Sequence, residues 1–170
     1  WLMGIKKPVI AAINGPAAGL GLIIALYCDI RFASDRAKFS TAFSKRGLIA
    51  EHGISWLLPR VVGLSNALDM LYSSRLITPQ EALNMGLVNR VFPQESFISD
   101  VMLYARDLAN SVSPRSMSII KKQVYNALFQ TLAEASEAAD EELLKSLASD
   151  DFKEGVAHFL EKRPPRFTGR

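Results

Sequence analysis

The sequence predicts an α/β fold that is followed by a helical region. Short β-prone runs alternate with helical segments up to Pro93, and a glycine-rich stretch, Asn14–Gly21, joins the first strand to the first helix. After Pro93 the strand signals cease and helical periodicity takes over. We therefore expect an α/β core over residues 1–93 and a helical region over residues 94–170.

The first elements surround the glycine-rich stretch. Val9–Asn14 is a short β-prone run, and Leu22–Tyr27 is apolar around its whole circumference, which predicts a buried helix. Glycines between a strand and a helix leave free backbone N–H groups at the helix N-terminus, where an anion or oxyanion can bind. The alternative is a tight connection that serves packing alone.

Two strands and a polar loop follow. Residues 29–33 and 37–40 are predicted strands, and Ser44–Gly53 is a polar, glycine-containing loop of the kind that carries exposed functional groups. The next segment, Ile54–Val62, contains Pro59, so we expect a helix there to break or change direction.

The remaining elements complete the core and build the helical region. Helical spacing resumes over Leu64–Ser73, Thr78–Glu81 combines an N-cap with a first-turn proline and an acid, and Leu87–Phe92 alternates as a last strand. After Pro93, the helical spacing of apolar residues predicts an amphipathic helix that ends at Ser113–Pro114. Leu132–Ala148 has the pattern of a second amphipathic helix.

Composition excludes several classes of function. The 170 residues are 49% hydrophobic with a net charge of +3, and Lys and Arg are scattered, so nucleic-acid binding is not expected. No stretch is long and apolar enough to span a bilayer. The single cysteine, Cys28, cannot form an internal disulfide, which favours a reducing compartment, and we expect the cytoplasm. Cys28, His52 and His158 are isolated in sequence, so no zinc site is expected.

Nucleotide binding is a remote alternative. Gly15, Gly19 and Gly21 have the spacing of short-chain dehydrogenases, and Asp35 follows where a ribose-binding acid is expected. That family also needs a Tyr-x-x-x-Lys pair, and none of the 4 tyrosines has a lysine four residues later.

A series of motifs runs in order through nearly the whole chain. The motifs are Lys7–Gly21, Cys28–Ala33, Ala37–Phe39, Gly47–Ile49, Leu57–Arg60, Val62–Gly63, Ala82–Asn89 and Phe159–Arg163. Together they resemble the crotonase, or enoyl-CoA hydratase/isomerase, superfamily. The resemblance implies a crotonase-like ββα superhelix, with the C-terminal half of its core present here, followed by a helical oligomerisation region. It also implies an N-terminal part of the fold before Lys7, and a homotrimer or a hexamer with subunit contacts after Pro93.

The resemblance further implies chemistry on an acyl-CoA thioester. In that family the thioester carbonyl becomes an enolate held by two backbone N–H groups. One donor maps onto the amide of Leu20, with Gly19 and Gly21 lining the substrate site, and we expect the other in the N-terminal part of the fold. A fixed donor of this kind contributes on the order of 3 kcal/mol to transition-state stabilisation. No metal or redox cofactor is implied, since coenzyme A enters as part of the substrate.

The acid/base residues decide the reaction. The two glutamates of the family's hydratases would fall on Ile23 and Phe43, which argues against hydration by a carboxylate pair. Glu51 matches the single acid of the family's enoyl-CoA and dienoyl-CoA isomerases, and one carboxylate can carry a proton between two carbons. We therefore expect an enoyl-CoA isomerase. A hydratase-type or other CoA-ester reaction with one acid, a non-catalytic acyl-CoA-binding paralogue, and a solvated loop role for Glu51 stay open.

Three further residues are candidates for substrate binding. Trp56 is expected to line the acyl pocket, with plain core packing as the alternative. Phe159 and Lys162 match positions that contact the adenine and phosphate end of CoA in relatives, and the alternative is a solvated basic tail. His52 is expected to be a loop or packing residue, because the sequence offers no partner for it.

Overall fold

The chain, in a computed structural model that describes residues 2–170, separates into two compact units. The α/β unit comprises residues 9–102 together with Leu2, and the helical unit comprises residues 3–8 and 103–170. The boundary at residue 102 falls inside a helix, Phe97–Ser111. The division of the chain into two domains at residue 93 stays a prediction from the sequence.

The α/β unit contains the strands and α-helices that the sequence predicts, with one added strand and a single 3-10 turn, Ser44–Arg46, inside the predicted loop. Its strands are β1 (Ile10–Ile13), β2 (Pro16–Ala18), β3 (Ile30–Ser34), β4 (Lys38–Ser40) and β5 (Arg90–Phe92). Its helices are α1 (Leu20–Leu26), α2 (Ile54–Val62), α3 (Leu64–Ser73) and α4 (Pro79–Asn84), and α5 (Phe97–Ser111) begins in it. The predicted α/β class is therefore confirmed.

Two parallel sheets organise this unit. One has the order β1-β3-β5, and the other pairs β2 with β4. Two successive strands of the chain therefore enter different sheets before α1, and two more do so before α2. The added strand, β2, lies inside the glycine-rich stretch. Sequence patterns missed it because Pro16–Ala18 is short and contains no β-branched or aromatic residue. Pro16 is its first residue, the place where a strand tolerates proline.

The core of the α/β unit is one apolar cluster. Its large, fully buried members include Leu22, Ile23, Phe39, Ile54, Leu58, Met70, Ile77 and Leu87. Helix α1 supplies Leu22 and Ile23 but is not buried on all sides, since Leu20 and Ile24 are 56% and 44% exposed. The prediction of a wholly buried helix is wrong on this face, because residues four apart share one side of a helix and this side points away from the cluster.

Helix α2 runs through Pro59 without a break, contrary to the expectation from sequence. Its buried residues, Ile54, Leu57, Leu58 and Val62, form one apolar stripe against the core. Burial of several large side chains, each worth about 1.5–3 kcal/mol, outweighs a proline penalty of about 3 kcal/mol. The chain changes direction instead at Gly63, whose φ of 78° separates α2 from α3.

The helical unit continues α5 and adds three capped helices. They are α6 (Pro114–Ala127), α7 (Leu132–Leu147) and α8 (Asp150–Glu161). Ser113, Thr131 and Ser149 cap them, each accepting a hydrogen bond from a first-turn backbone N–H. Within residues 2–170, no helix has the length and apolar character needed to cross a membrane.

Candidate functional site

The chain segments that lead to helix α1 and to the polar loop both begin at the same edge of the two-stranded sheet. Strands β2 and β4 are parallel and pair Ala18 with Ser40, their last residues. The Gly19 N–H extends this pairing by donating to the Ser40 carbonyl over 3.1 Å. Because parallel strands present their carboxyl ends at one edge, both following segments begin there.

Gly19 fixes the orientation of the first amide of α1. Its backbone has φ 52° and ψ −121°, a combination that essentially only glycine adopts. Its N–H is held by Ser40, and its carbonyl accepts from the Ile23 N–H over 3.1 Å. The next N–H, that of Leu20, lies in the first helical turn and has no intrahelical acceptor. Leu20 is exposed, so its N–H is a main-chain donor at the start of α1. Its role as an oxyanion donor stays a prediction.

A hydroxyl network holds the end of β4 that supports Gly19. Ser40 Oγ donates to the Ser74 carbonyl over 3.0 Å, and Thr41 Oγ1 donates to the Met70 carbonyl over 2.7 Å. Thr41 Oγ1 and Ser74 Oγ lie 3.1 Å apart. These bonds tie β4 to the C-terminal end of α3, where Ser74 has a positive φ of 44°. Sequence patterns do not reveal this support, since two of its acceptors are backbone carbonyls, which every residue type carries.

Glu51 lies in the loop directly before α2. Its carbonyl accepts from the Ile54 N–H over 3.0 Å, and its side chain is 36% exposed. The preceding residue, Ala50, packs against the core cluster. The carboxylate is thus partly shielded by the protein and still reachable from solvent. Its role as proton carrier stays a prediction, as does the alternative of a solvated loop carboxylate.

His52 makes two contacts that the sequence analysis did not name. Its Nε2 lies 3.9 Å from Glu51 Oε2, with the imidazole 60% exposed, and its carbonyl accepts a hydrogen bond from Tyr27 Oη over 2.9 Å. Its backbone is left-handed, with φ 51°. His52 is a loop residue, as expected, but it joins Glu51 on one side and α1 on the other.

Buried apolar residues occupy the two positions that correspond to the hydratase glutamates. Ile23 and Phe43 are both buried, and both belong to the apolar cluster of the α/β unit. Neither position brings an ionisable group to the site. Glu51 therefore stays the predicted acid of the site.

Apolar residues precede and follow Glu51 in the sequence. Trp56 is half-buried against the core, and the Arg60 guanidinium lies 4.0 Å from the centre of its ring. This contact favours a packing role for Trp56 beside its predicted role in substrate binding. Leu48 and Ile49 precede Glu51 and are exposed. They are candidate acyl contacts that sequence reasoning missed, and two exposed apolar residues in a polar loop are the signal that could have found them.

Phe159 and Lys162 lie in the helical unit, at the end of α8. Phe159 is exposed, and Lys162 is the C-cap with φ 53°. The neighbouring Arg163 binds Glu154 through two hydrogen bonds of 2.6 and 2.8 Å. Hydrogen bonds from Arg163 hold the pKa of Glu154 at about 2, so the pair is charged at neutral pH. The assignment of Phe159 and Lys162 to CoA binding stays a prediction.

Residues that could bind a metal are dispersed. Within residues 2–170, no group of three or more His, Cys, Asp or Glu side chains lies close enough to hold a metal ion.

Comparison with known proteins identifies the relatives of this chain. A model of the enoyl-CoA hydratase/isomerase family matches residues 1–170. A probable enoyl-CoA hydratase of Rhodobacter capsulatus is 40% identical over 164 residues, which are 96% of this chain and 63% of the relative. The 1,2-epoxyphenylacetyl-CoA isomerase of Escherichia coli is 37% identical over 169 residues, 99% of this chain and 64% of the relative.

A solved structure gives the same result for the fold. The crystal structure of a probable enoyl-CoA hydratase/isomerase from Mycobacterium abscessus matches with a TM-score of 0.95 at 30% identity, covering 99% of this chain and 66% of that one. The α/β fold described above thus matches crotonase-like structures. The chain spans less than two thirds of the length of each of these relatives.

Proposed function

The chain belongs to the enoyl-CoA hydratase/isomerase family, and from this membership we propose that it moves a double bond in an enoyl-CoA thioester. One observation carries the choice of isomerisation. Both hydratase-type acid positions, Ile23 and Phe43, are packed into the core, while Glu51 offers one partly shielded carboxylate in the adjoining loop. One carboxylate suffices for isomerisation, whereas the family's hydratases use two.

The proposed reaction needs only a proton transfer and its return. Glu51 removes a proton from C2 of a 3-enoyl thioester, and the electron pair moves through the carbonyl to give a dienolate. The Leu20 N–H donates to the enolate oxygen, where negative charge develops in the transition state. Glu51 then returns the proton at C4, and the double bond stands between C2 and C3. The second N–H donor is proposed to come from the N-terminal part of the family fold.

Further proposals concern the binding residues of the site. Gly19 and Gly21 keep the Leu20 amide accessible, and Trp56 is proposed to contact the acyl group. Phe159 and Lys162 are proposed to contact the adenine and phosphate end of CoA, since Phe159 is exposed and a lysine suits a phosphate. Coenzyme A enters as part of the substrate, and no separate cofactor is proposed.

The wider setting is also a proposal. We place the two β-β-α successions, β1-β2-α1 and β3-β4-α2, in a ββα superhelix. The exposed apolar residues of α6 and α7, among them Ile120, Val124, Leu143 and Leu144, support subunit contacts in a homotrimer or hexamer. The buried Cys28 supports a reducing compartment such as the cytoplasm.

Replacement of Glu51 tests the proposed function. In the full-length protein, Glu51→Gln keeps the shape of the side chain but cannot accept the proton, so turnover of a 3-enoyl-CoA should fall by about 10²–10⁴-fold. The matched control is Glu95→Gln, an exposed carboxylate paired with Arg36, and it should keep full activity. Rates are measured as formation of the conjugated 2-enoyl thioester.

The outcomes separate the alternatives. Equal turnover of 3-enoyl-, 2-enoyl- and dienoyl-CoA by wild type and Glu51→Gln would reject Glu51 as the proton carrier. Addition of water to a 2-enoyl-CoA that depends on Glu51 would identify a one-acid hydratase. Tight binding of a CoA thioester without any turnover would indicate a non-catalytic paralogue.

A further inference from the structure

We propose that Tyr27 is a positioning residue that holds the Glu51 loop against the helix carrying the Leu20 amide, an inference that rests on the proposed function of both groups. Tyr27 directly follows α1 and is its C-cap, with φ −77° and ψ −10°. Its hydroxyl donates to the His52 carbonyl over 2.9 Å, across 25 residues of sequence. The acceptor belongs to the residue immediately after Glu51.

A second contact of the same hydroxyl involves the next residue of the loop. A Cβ added to Gly53 would lie 3.0 Å from Tyr27 Oη, closer than Cβ atoms normally approach. Gly53 also has φ 77°, and His52 has φ 51°, so the loop enters α2 through two consecutive left-handed residues. The Tyr27 hydroxyl therefore lies against the turn that sets the direction of the Glu51 segment.

Helix α1 makes this contact relevant to the site. It begins at Leu20, whose amide is the proposed oxyanion donor, and ends at Leu26, next to Tyr27. Leu22, Ile23, Ala25 and Leu26 are buried, so the packing of this face holds the short helix against the core. One rigid element thus carries the donor at its start and the anchor of the carboxylate loop at its end. Loss of the anchor should disturb the position of Glu51 relative to the Leu20 amide.

Removal of the hydroxyl tests this role. In the full-length protein, Tyr27→Phe keeps the ring and should lower kcat for a 3-enoyl-CoA by about tenfold with KM nearly unchanged, because misplacement by a fraction of an ångström slows proton transfer but not CoA binding. The matched control, Tyr72→Phe, alters an exposed ring on α3 and should leave both constants unchanged. Wild-type kcat in Tyr27→Phe, or an equal fall in both variants, would overturn the proposal.

A double-mutant cycle with Gly53 adds a readout that a general loss of stability would not give. Gly53→Ala places a methyl group against the Tyr27 hydroxyl, so removal of that hydroxyl should cost less in the alanine background than in wild type. The kcat values of wild type, both single variants and the double variant measure the coupling. Independent effects, with the two losses simply multiplying, would contradict the contact.

Hydrogen exchange distinguishes failure of this inference from failure of the proposed function. Tyr27→Phe should speed amide exchange in residues 47–53, and Tyr72→Phe should not, whether or not the protein turns over a CoA thioester. Unchanged exchange would overturn the anchor. Faster exchange in an active protein with wild-type kcat would overturn the positioning role. If wild type acts on no CoA thioester, the proposed function fails, and a faster exchange still supports the anchoring of the loop.

Discussion

Gly19 has a backbone conformation that few residues other than glycine permit. A Cβ at this position would approach only the Thr41 carbonyl oxygen, at 3.9 Å, so crowding does not restrict it. The backbone angles restrict the choice of residue instead, because a φ of 52° and a ψ of −121° lie outside the regions open to residues with a side chain. The direction of the Leu20 amide depends on this conformation.

Gly19→Ala should therefore damage both the fold and the activity. We expect a loss of about 1–3 kcal/mol in the free energy of unfolding and a lower kcat, as the Leu20 N–H turns away from the enolate oxygen. Gly15→Ala is the control, since its added Cβ would meet nothing within 4 Å and its φ is not positive. Denaturant unfolding and steady-state kinetics measure both effects. Equal stability and kcat in the two variants would show that the Gly19 conformation is not required.

The sequence could predict some site residues and not others, for a physical reason. Leu20 and Glu51 were named because their positions match functional positions of the resembled family, and their roles stay predictions. Tyr27 and Ser40 act on backbone carbonyls of His52 and Ser74, and any residue type supplies such an acceptor. Contacts of this kind leave no pattern in a single sequence.

Among the elements, α2 and β2 show where local patterns fail. The rule that proline interrupts a helix is local, whereas the apolar stripe of α2 depends on burial against other segments. Strand β2 exists because β4 offers a parallel partner, and its own residues carry no strand preference. The capping pattern of Thr78 and Glu81 was correctly predicted, since all of its hydrogen bonds lie within four consecutive residues.

Asp151 connects the starts of α6 and α8 with the C-terminal tail. Its carboxylate accepts from Ser113 Oγ at 2.5 Å and from the Thr168 and Gly169 N–H groups at 2.8 and 3.0 Å. Burial raises the pKa of Asp151, but these hydrogen bonds, with one from the Arg115 backbone, together lower it below its ordinary value. The charged form is thus favoured by folding.

The helical unit should consequently lose stability in acid through Asp151. A lowered folded pKa means that this contribution is fully present above the unfolded Asp pKa of about 3.9 and is lost as pH falls through the folded value. Asp151→Asn should therefore be less stable than wild type at neutral pH, with a smaller further loss down to about pH 3. Asp150→Asn, at an exposed ion pair with Lys153, is the control. Urea unfolding that shows the same pH dependence in wild type and Asp151→Asn would contradict this account.

For the whole molecule, exposed apolar residues predict assembly. Leu143 and Leu144 on α7 are exposed in the single chain, as are Ile120 and Val124 on α6. If these side chains are buried between subunits, Leu144→Asn should lower the molecular mass measured by sedimentation. Lys145→Asn, one residue away on the same helix, should leave the assembly intact. An unchanged mass in Leu144→Asn would place the subunit contacts elsewhere.

In the proposed reaction, one carboxylate and one main-chain donor move a double bond without adding water. The most direct test is the mass of the product that the full-length protein forms from a 3-enoyl-CoA in D2O. We predict a 2-enoyl-CoA with no added oxygen, carrying deuterium only where a proton was exchanged, and formed far more slowly by Glu51→Gln. A product heavier by one molecule of D2O, or isomerisation at the wild-type rate without the Glu51 carboxylate, would contradict the proposed isomerisation by Glu51.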